Sequence, residues 1–118
     1  FLNIDILKER GIIMITEIKN IDELDKFIKK NNLVVCDLYA TWCGPCKMLS
    51  PTLDEASMSY PHISFIKINI EDCDEVAMQF GVYAIPTVLF FKNGTLVHRF
   101  TGNQGLDAVK KDIEKAFN

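Results

Sequence analysis

The run Leu33-Val34-Val35-Cys36-Asp37-Leu38-Tyr39 constrains the fold of this chain more than any other segment. It favours β structure and is apolar at both alternating sets of positions, so a strand built from it buries both faces only if other layers cover each of them. The periodicity around it switches repeatedly between strand and helix, which makes it the centre of a sheet lying between helices. Two features make the run unusual. One carboxylate, Asp37, interrupts it, and its far end leads into Cys43-Gly44-Pro45-Cys46.

The remaining elements follow from local signals. Ile15 to Ile18 reads as a short first strand. Asn20 with Glu23 three residues later is a capping-box pattern, opening a helix from about Ile21 to Lys30 that buries Leu24, Phe27 and Ile28. A second helix starts at the cysteines and runs through Met48, Leu49, Leu53 and Ala56 to about Ser59, with Pro51 expected to kink it because proline has no amide hydrogen to donate. Ile63 to Ile70 gives the next strand and completes a βαβ unit. Asp72 with Glu75 marks a short third helix, stopped at Gly81. Thr87 to Phe91 and Leu96 to Phe100 flank Asn93-Gly94, a tight-hairpin signal that makes the sheet mixed. Leu106, Val109, Ile113 and Phe117 recur at helical spacing and define an amphipathic C-terminal helix.

At 118 residues, 48% hydrophobic and 25% charged, the chain has the size and balance of one domain that encloses a single core. Its net charge of -3 and the lack of a dense Lys/Arg block argue against nucleic acid or an anionic membrane as partner. Every hydrophobic run is too short and too interrupted to cross a bilayer. Four cysteines with a single close pair do not make the disulfide framework of a small secreted domain; a lone C-x-x-C here points to a redox site. Phe1 to Ile13 precede the first methionine, Met14, and are expected to be an extension, a cloning remnant or a truncated targeting segment. Charges at Asp5, Lys8, Glu9 and Arg10 break any signal-peptide core. Residues 14–118 are read as the single domain.

Residues three apart at a helix start stand on one face, within the roughly 4.4 to 6.8 Å Cα separation that a disulfide requires. The attacking species in disulfide exchange is a thiolate. Unpartnered amide N–H groups and the helix dipole favour negative sulfur on Cys43, whereas Cys46, one turn inside, lacks that help. Cys43 is therefore assigned the attack on a substrate disulfide and Cys46 the resolution of the mixed disulfide. Gly44 lets a substrate backbone approach, and Pro45 stiffens the loop at a position where its missing amide hydrogen costs nothing. Half of a zinc site is the competing reading, but no second C-x-x-C or suitably spaced His pair supplies the other ligands.

Asp37 in a buried strand admits two readings. Either burial raises its pKa and it serves as the base that deprotonates Cys46, or it is a structural carboxylate neutralised by Lys67 on the neighbouring strand. Strand parity places it with Val35 and Tyr39 and opposite Cys36, which reads as an inert core thiol. Ile85-Pro86-Thr87 precedes a strand; composition does not settle the isomer of that bond, and most X-Pro bonds are trans. Cys73, among Glu71, Asp72, Asp74 and Glu75, is expected to be an unreactive thiol near the surface, and His62 and His98 to be plain turn and strand residues.

Ala40-Thr41-Trp42-Cys43-Gly44-Pro45-Cys46-Lys47, with Asp37 six residues before the first cysteine, Pro51 and Ile85-Pro86-Thr87, resembles the thioredoxin family. The likeness runs from about Met14 to Asn118 and takes in Lys67-Ile68-Asn69, Phe91-Lys92-Asn93-Gly94 and Gly102. It implies an α/β thioredoxin fold, with a central mixed, largely five-stranded sheet flanked by four helices, and a cis Pro86 packed opposite the dithiol. It implies that Trp42, Gly44, Pro45, Ile85, Pro86 and Gly102 border a substrate groove, and that Asp37 and Lys67 form a buried proton-transfer pair. No cofactor or metal is expected to be bound. Electrons would come from NADPH through a thioredoxin reductase, and clients would include peroxiredoxin, ribonucleotide reductase and methionine sulfoxide reductase. A cytoplasmic monomer is expected, organellar if residues 1–13 belong to a targeting segment. Cys36 before the aspartate and Tyr83 before the proline loop depart from the family pattern. Two competing functions are an isomerase or oxidase, whose relatives usually replace Pro45, often by His, and a redox-gated binding module.

Overall fold

The central strand of the sequence pattern is central in space. A computed structural model describes Ile6 and residues 15–118, so the expectations for Phe1 to Ile13 and Met14 fall, Ile6 apart, outside the described residues. Along the chain run β1 (Thr16–Glu17), α1 (Ile21–Lys30), β2 (Leu33–Tyr39), α2 (Gly44–Ser59), β3 (Ser64–Asn69), α3 (Asp74–Gln79), β4 (Thr87–Lys92), β5 (Thr95–Thr101) and α4 (Leu106–Phe117). The sheet order is β1-β3-β2-β4-β5, with β3 parallel to both β1 and β2, and β4 antiparallel to β2 and β5.

Successive side chains of a strand point to opposite faces, so those of β2, which has a neighbour on each edge, divide between two cores. Val34, Cys36 and Leu38 join Leu24 and Ile28 of α1 and Val76 of α3 on one face. Val35 joins Leu49, Leu53 and Ala56 of α2 and Val109 and Ile113 of α4 on the other. Phe90 is fully buried in this second core, its ring 6.0 Å from that of Phe100 and 5.9 Å from that of Phe117. Phe90→Ala is expected to cost about 3 to 5 kcal/mol, lost contacts plus a cavity. Urea unfolding checks this as a lower midpoint at unchanged slope.

Local chemistry sets the element ends. Asn20 caps α1, its side chain accepting the Glu23 N–H at 2.9 Å. Asn93 and Gly94 both have positive φ, 52° and 83°, as a type I′ hairpin requires. Gly81, at φ 63°, closes α3, with N–H bonds from Gly81 to Met78 O and from Val82 to Ala77 O, the pairing of a Schellman stop. Pro51 lies inside α2 without ending it. The start of α3 differs from expectation: Cys73, not Asp72, stands at the N-cap and makes no side-chain cap bond. Asn69 causes the delay. Its carbonyl accepts the Asp72 and Cys73 amides and its side chain accepts the Glu71 N–H, so a turn occupies the residues expected to open the helix. His98 does more than hold a strand position: its Nε2 lies 2.7 Å from Asp112 Oδ1, tying β5 to α4.

Candidate active site

The dithiol lies where β2 hands the chain to α2. Cys43 N–H donates to Ala40 O at 3.3 Å, a tight turn that delivers Cys43 to the N-cap of α2. Its Sγ accepts the Cys46 N–H at 3.2 Å, so an amide left unpaired by the helix points at the sulfur. Pro45 falls in the first turn, where the absent amide hydrogen is not missed. Cys43 and Cys46 are joined in a disulfide with a Cα separation of 5.3 Å, both residues almost entirely buried. Around them the surface is open: Trp42 is 68% exposed, and a Cβ on Gly44 would meet no atom within 4 Å.

The second wall comes from the loop before β4. The Ile85-Pro86 peptide is cis, the isomer that composition left open and the resemblance implied. Cys43 Sγ lies 3.9 Å from the Ile85 carbonyl oxygen, and Ile85 packs on the small cluster of Ala40, Cys43 and Cys46. Gly102 N–H donates to Pro86 O at 2.8 Å with Gly102 at φ 94°, which binds the end of β5 to this loop. Thus three segments distant in sequence, Cys43 to Cys46, Ile85-Pro86 and Gly102, meet at one end of the sheet.

Behind the disulfide lies Asp37, 6% exposed, level with Lys67 on β3 and Val88 on β4. A cleft of about 310 Å³ is lined by Asp37, Cys46, Lys67, Tyr39, Thr41 and Lys47, among others. The carboxylate and the inner cysteine therefore share one space. Asp37 Oδ1 has no hydrogen-bond partner among the described residues. Burial pushes its pKa to about 7, Lys67 pulls against that rise, and the Asp54 and Glu17 carboxylates add to it. A carboxyl poised there takes up and releases a proton near neutrality.

Three supporting groups escaped the sequence reading. Glu17 accepts the Tyr39 hydroxyl at 2.8 and 2.9 Å through its two oxygens. Glu71 accepts both the Thr41 N–H, at 3.0 Å, and its hydroxyl, at 2.9 Å, anchoring the turn before Trp42; these bonds hold the Glu71 carboxyl below its usual range. Asp54 is buried on α2 beside Leu53, and the helical spacing of Leu49, Leu53 and Ala56 was the signal that could have found it. The other two contacts span 22 and 30 residues and leave no local trace.

Cys36 is fully buried, and burial first, then Asp37 and Cys73, push its thiol well above the ordinary range. Cys73, expected near the surface, is buried in the same core, and burial is the chief reason its thiol pKa rises. Packing of the α3 N-terminus against the sheet draws it inward. Among the described residues no three His, Cys, Asp or Glu side chains gather as a metal site, and no helix is long and apolar enough to cross a membrane.

A disulfide opening a helix at the C-terminal end of a central strand, faced by a cis-proline loop, defines a thiol-disulfide oxidoreductase. Comparison with known proteins narrows the class. The thioredoxin family model matches residues 15–115, and the chain belongs to that family. It is 44% identical over 89 residues to thioredoxin-1 of Saccharomyces cerevisiae, covering 75% of this chain and 86% of that one. The structure of Plasmodium falciparum thioredoxin superposes with a TM-score of 0.81 at 35% identity, covering 86% of this chain and 98% of that one. A structure from the yeast mitochondrial 1-Cys peroxiredoxin thiol resolving mechanism via glutathione/thioredoxin systems gives 0.80 at 36% identity, covering 86% and 94%.

Proposed function

We propose that residues 14–118 work as a general protein disulfide reductase in which Cys43 attacks and Cys46 resolves. The observation that carries this assignment is the inequality of the two sulfurs: Cys43 Sγ sits at the helix N-cap and receives an amide N–H, whereas Cys46 lies one turn inside. In the reduced protein the Cys43 thiolate attacks one sulfur of a client disulfide. A Cys43–client bond forms, the client S–S bond breaks, and one client sulfur leaves as thiolate. Asp37 takes the Cys46 proton across the shared cleft; Cys46 sulfur then attacks Cys43 Sγ, and the second client sulfur leaves. The client gains two electrons and the Cys43–Cys46 disulfide is restored.

Trp42, Gly44, Pro45, Ile85, Pro86 and Gly102 border the groove in this reading, with an extended client segment pairing to the backbone at Ile85. Open space over Gly44 and the exposure of Trp42 support it. Lys67 moderates Asp37 from the neighbouring strand. NADPH supplies the electrons through a thioredoxin reductase, and the clients include peroxiredoxin, ribonucleotide reductase and methionine sulfoxide reductase. The protein acts as a cytoplasmic monomer, or in an organelle if residues 1–13 belong to a targeting segment.

Equilibration against glutathione buffers, read by Trp42 fluorescence, is expected to give a Cys43/Cys46 potential well below the about −180 mV of protein disulfide isomerase. A value at or above that figure favours isomerase or oxidase work. No reversible transition at all leaves a redox-gated binding module.

A further inference from the structure

A row of charged groups that the reaction above leaves unused runs to the edge of the sheet. Glu17 on β1 is level with Lys67 on β3, and Lys67 is level with Asp37 on β2. Neighbours in register project to the same face, so two carboxylates flank one ammonium at strand spacings of roughly 4.8 Å. Tyr39, two residues beyond Asp37, shares that face and reaches across β3 to give its hydroxyl to Glu17 at 2.8 and 2.9 Å. The Lys67 ammonium lies 5.8 Å from the centroid of that same ring. Tyr39 thus straps Lys67 into the row and holds the Glu17 carboxylate inward on an edge strand only two residues long.

We infer that Glu17 is a positioning residue for Asp37: held by Tyr39, it competes for Lys67 and so raises the pH at which Asp37 accepts the Cys46 proton. The inference rests on the reading of Asp37 as the base in resolution. Glu17 never touches the reacting sulfurs and acts only through the row. The other charged or titratable groups facing Asp37 are Asp54, Cys46 and Lys47 on α2, while Asp72 bears on Tyr39. β4 contributes only apolar Val88 beside Asp37. Of these groups Glu17 alone is held by Tyr39 and level with Lys67. Removing its charge leaves Lys67 wholly to Asp37 and favours the ionised carboxyl.

The test titrates the Asp37 carboxyl of the reduced protein by carbon NMR, alongside the pH profile of mixed-disulfide release in single turnover. Glu17→Gln keeps the size of the side chain and an acceptor for Tyr39 while removing the charge. It is expected to lower the Asp37 midpoint by about 0.5 to 1 pH unit, the effect of one charge roughly 10 Å away at intermediate dielectric. The release profile should move the same way. Tyr39→Phe keeps the ring but frees Glu17 to turn to solvent, and should give a smaller shift of the same sign; it carries the test if Glu17→Gln fails to fold. An Asp37 midpoint unmoved in these variants overturns the role of Glu17. A midpoint that moves while the release profile stays fixed upholds the coupling and removes Asp37 as the base.

Discussion

Replacing Cys43 by serine is expected to bring disulfide reduction down to the uncatalysed rate, while replacing Cys46 by serine converts the protein into a covalent trap. The two outcomes differ because the sulfurs occupy different places on one helix. Cys43, at the N-cap, faces the Cys46 N–H, and the positive end of the α2 dipole stabilises a thiolate there. Without it nothing forms the first bond, since a serine hydroxyl stays protonated near neutrality. Without Cys46 the first bond still forms, but no sulfur lies within reach of Cys43 to break it. Both free thiols elsewhere are buried, and Cys36 and Cys73 belong to the core cluster on the face of the sheet away from α2. Mass spectrometry of Cys46→Ser with a disulfide-bonded client should show one client per protein, released by added dithiol. Turnover by Cys43→Ser, or no adduct with Cys46→Ser, would reverse the assigned roles.

The frame that positions these sulfurs was legible because its signals are local. A run apolar on both faces has no stable place except the middle of a layered sheet, and β2 is there with a core on each side. Asn20 and Asn93-Gly94 announced themselves because capping and a type I′ turn each depend on two or three adjacent residues. The start of α3 was misplaced for a related reason. Asp72 carries a good capping side chain, yet Asn69 had already committed the intervening backbone to a turn, and two competing local motifs cannot be ranked from spacing alone. Cys73 was misjudged because its acidic neighbours describe its sequence surroundings and not the sheet against which α3 packs.

The chemistry divides in the same way. Cys43, Pro45 and Cys46 lie within one turn, so their relation could be worked out from helix geometry. Asp37 stood out because a carboxylate is foreign to an otherwise apolar strand. Of its partners Lys67 was also named, because it lies on the strand expected beside β2, whereas Glu17 and Asp54 reach Asp37 through strand order and helix packing that no short window contains. Glu71 shows the extreme case: its carboxylate secures Thr41 from 30 residues away, and nothing about either residue alone marks the pair.

Asp37→Asn should make the protein both slower and more stable, with both effects growing as pH rises. Burial lifts the folded-state pKa from 3.8 to about 7, so between those values the folded chain keeps a proton that the unfolded chain has released. Stability contributed by this group is therefore complete below about pH 4, falls as pH rises through 7, and levels off above it. The full difference corresponds to about 4 kcal/mol, the free-energy equivalent of a shift of about three pH units. Asparagine carries no such charge, so urea unfolding should show variant and parent nearly equal at pH 4 and the variant more stable by up to about 4 kcal/mol at pH 8. Release of the mixed disulfide should respond in the opposite sense. At pH 8 the parent has its base ionised and the variant has none, a loss of about 100-fold or more for a positioned general base. Near pH 5 the parent carboxyl is protonated too and the two rates should converge. Equal stability at pH 8 would mean that the cleft solvates the Asp37 carboxylate well. A rate deficit independent of pH would mean that Asp37 shapes the site without moving the proton.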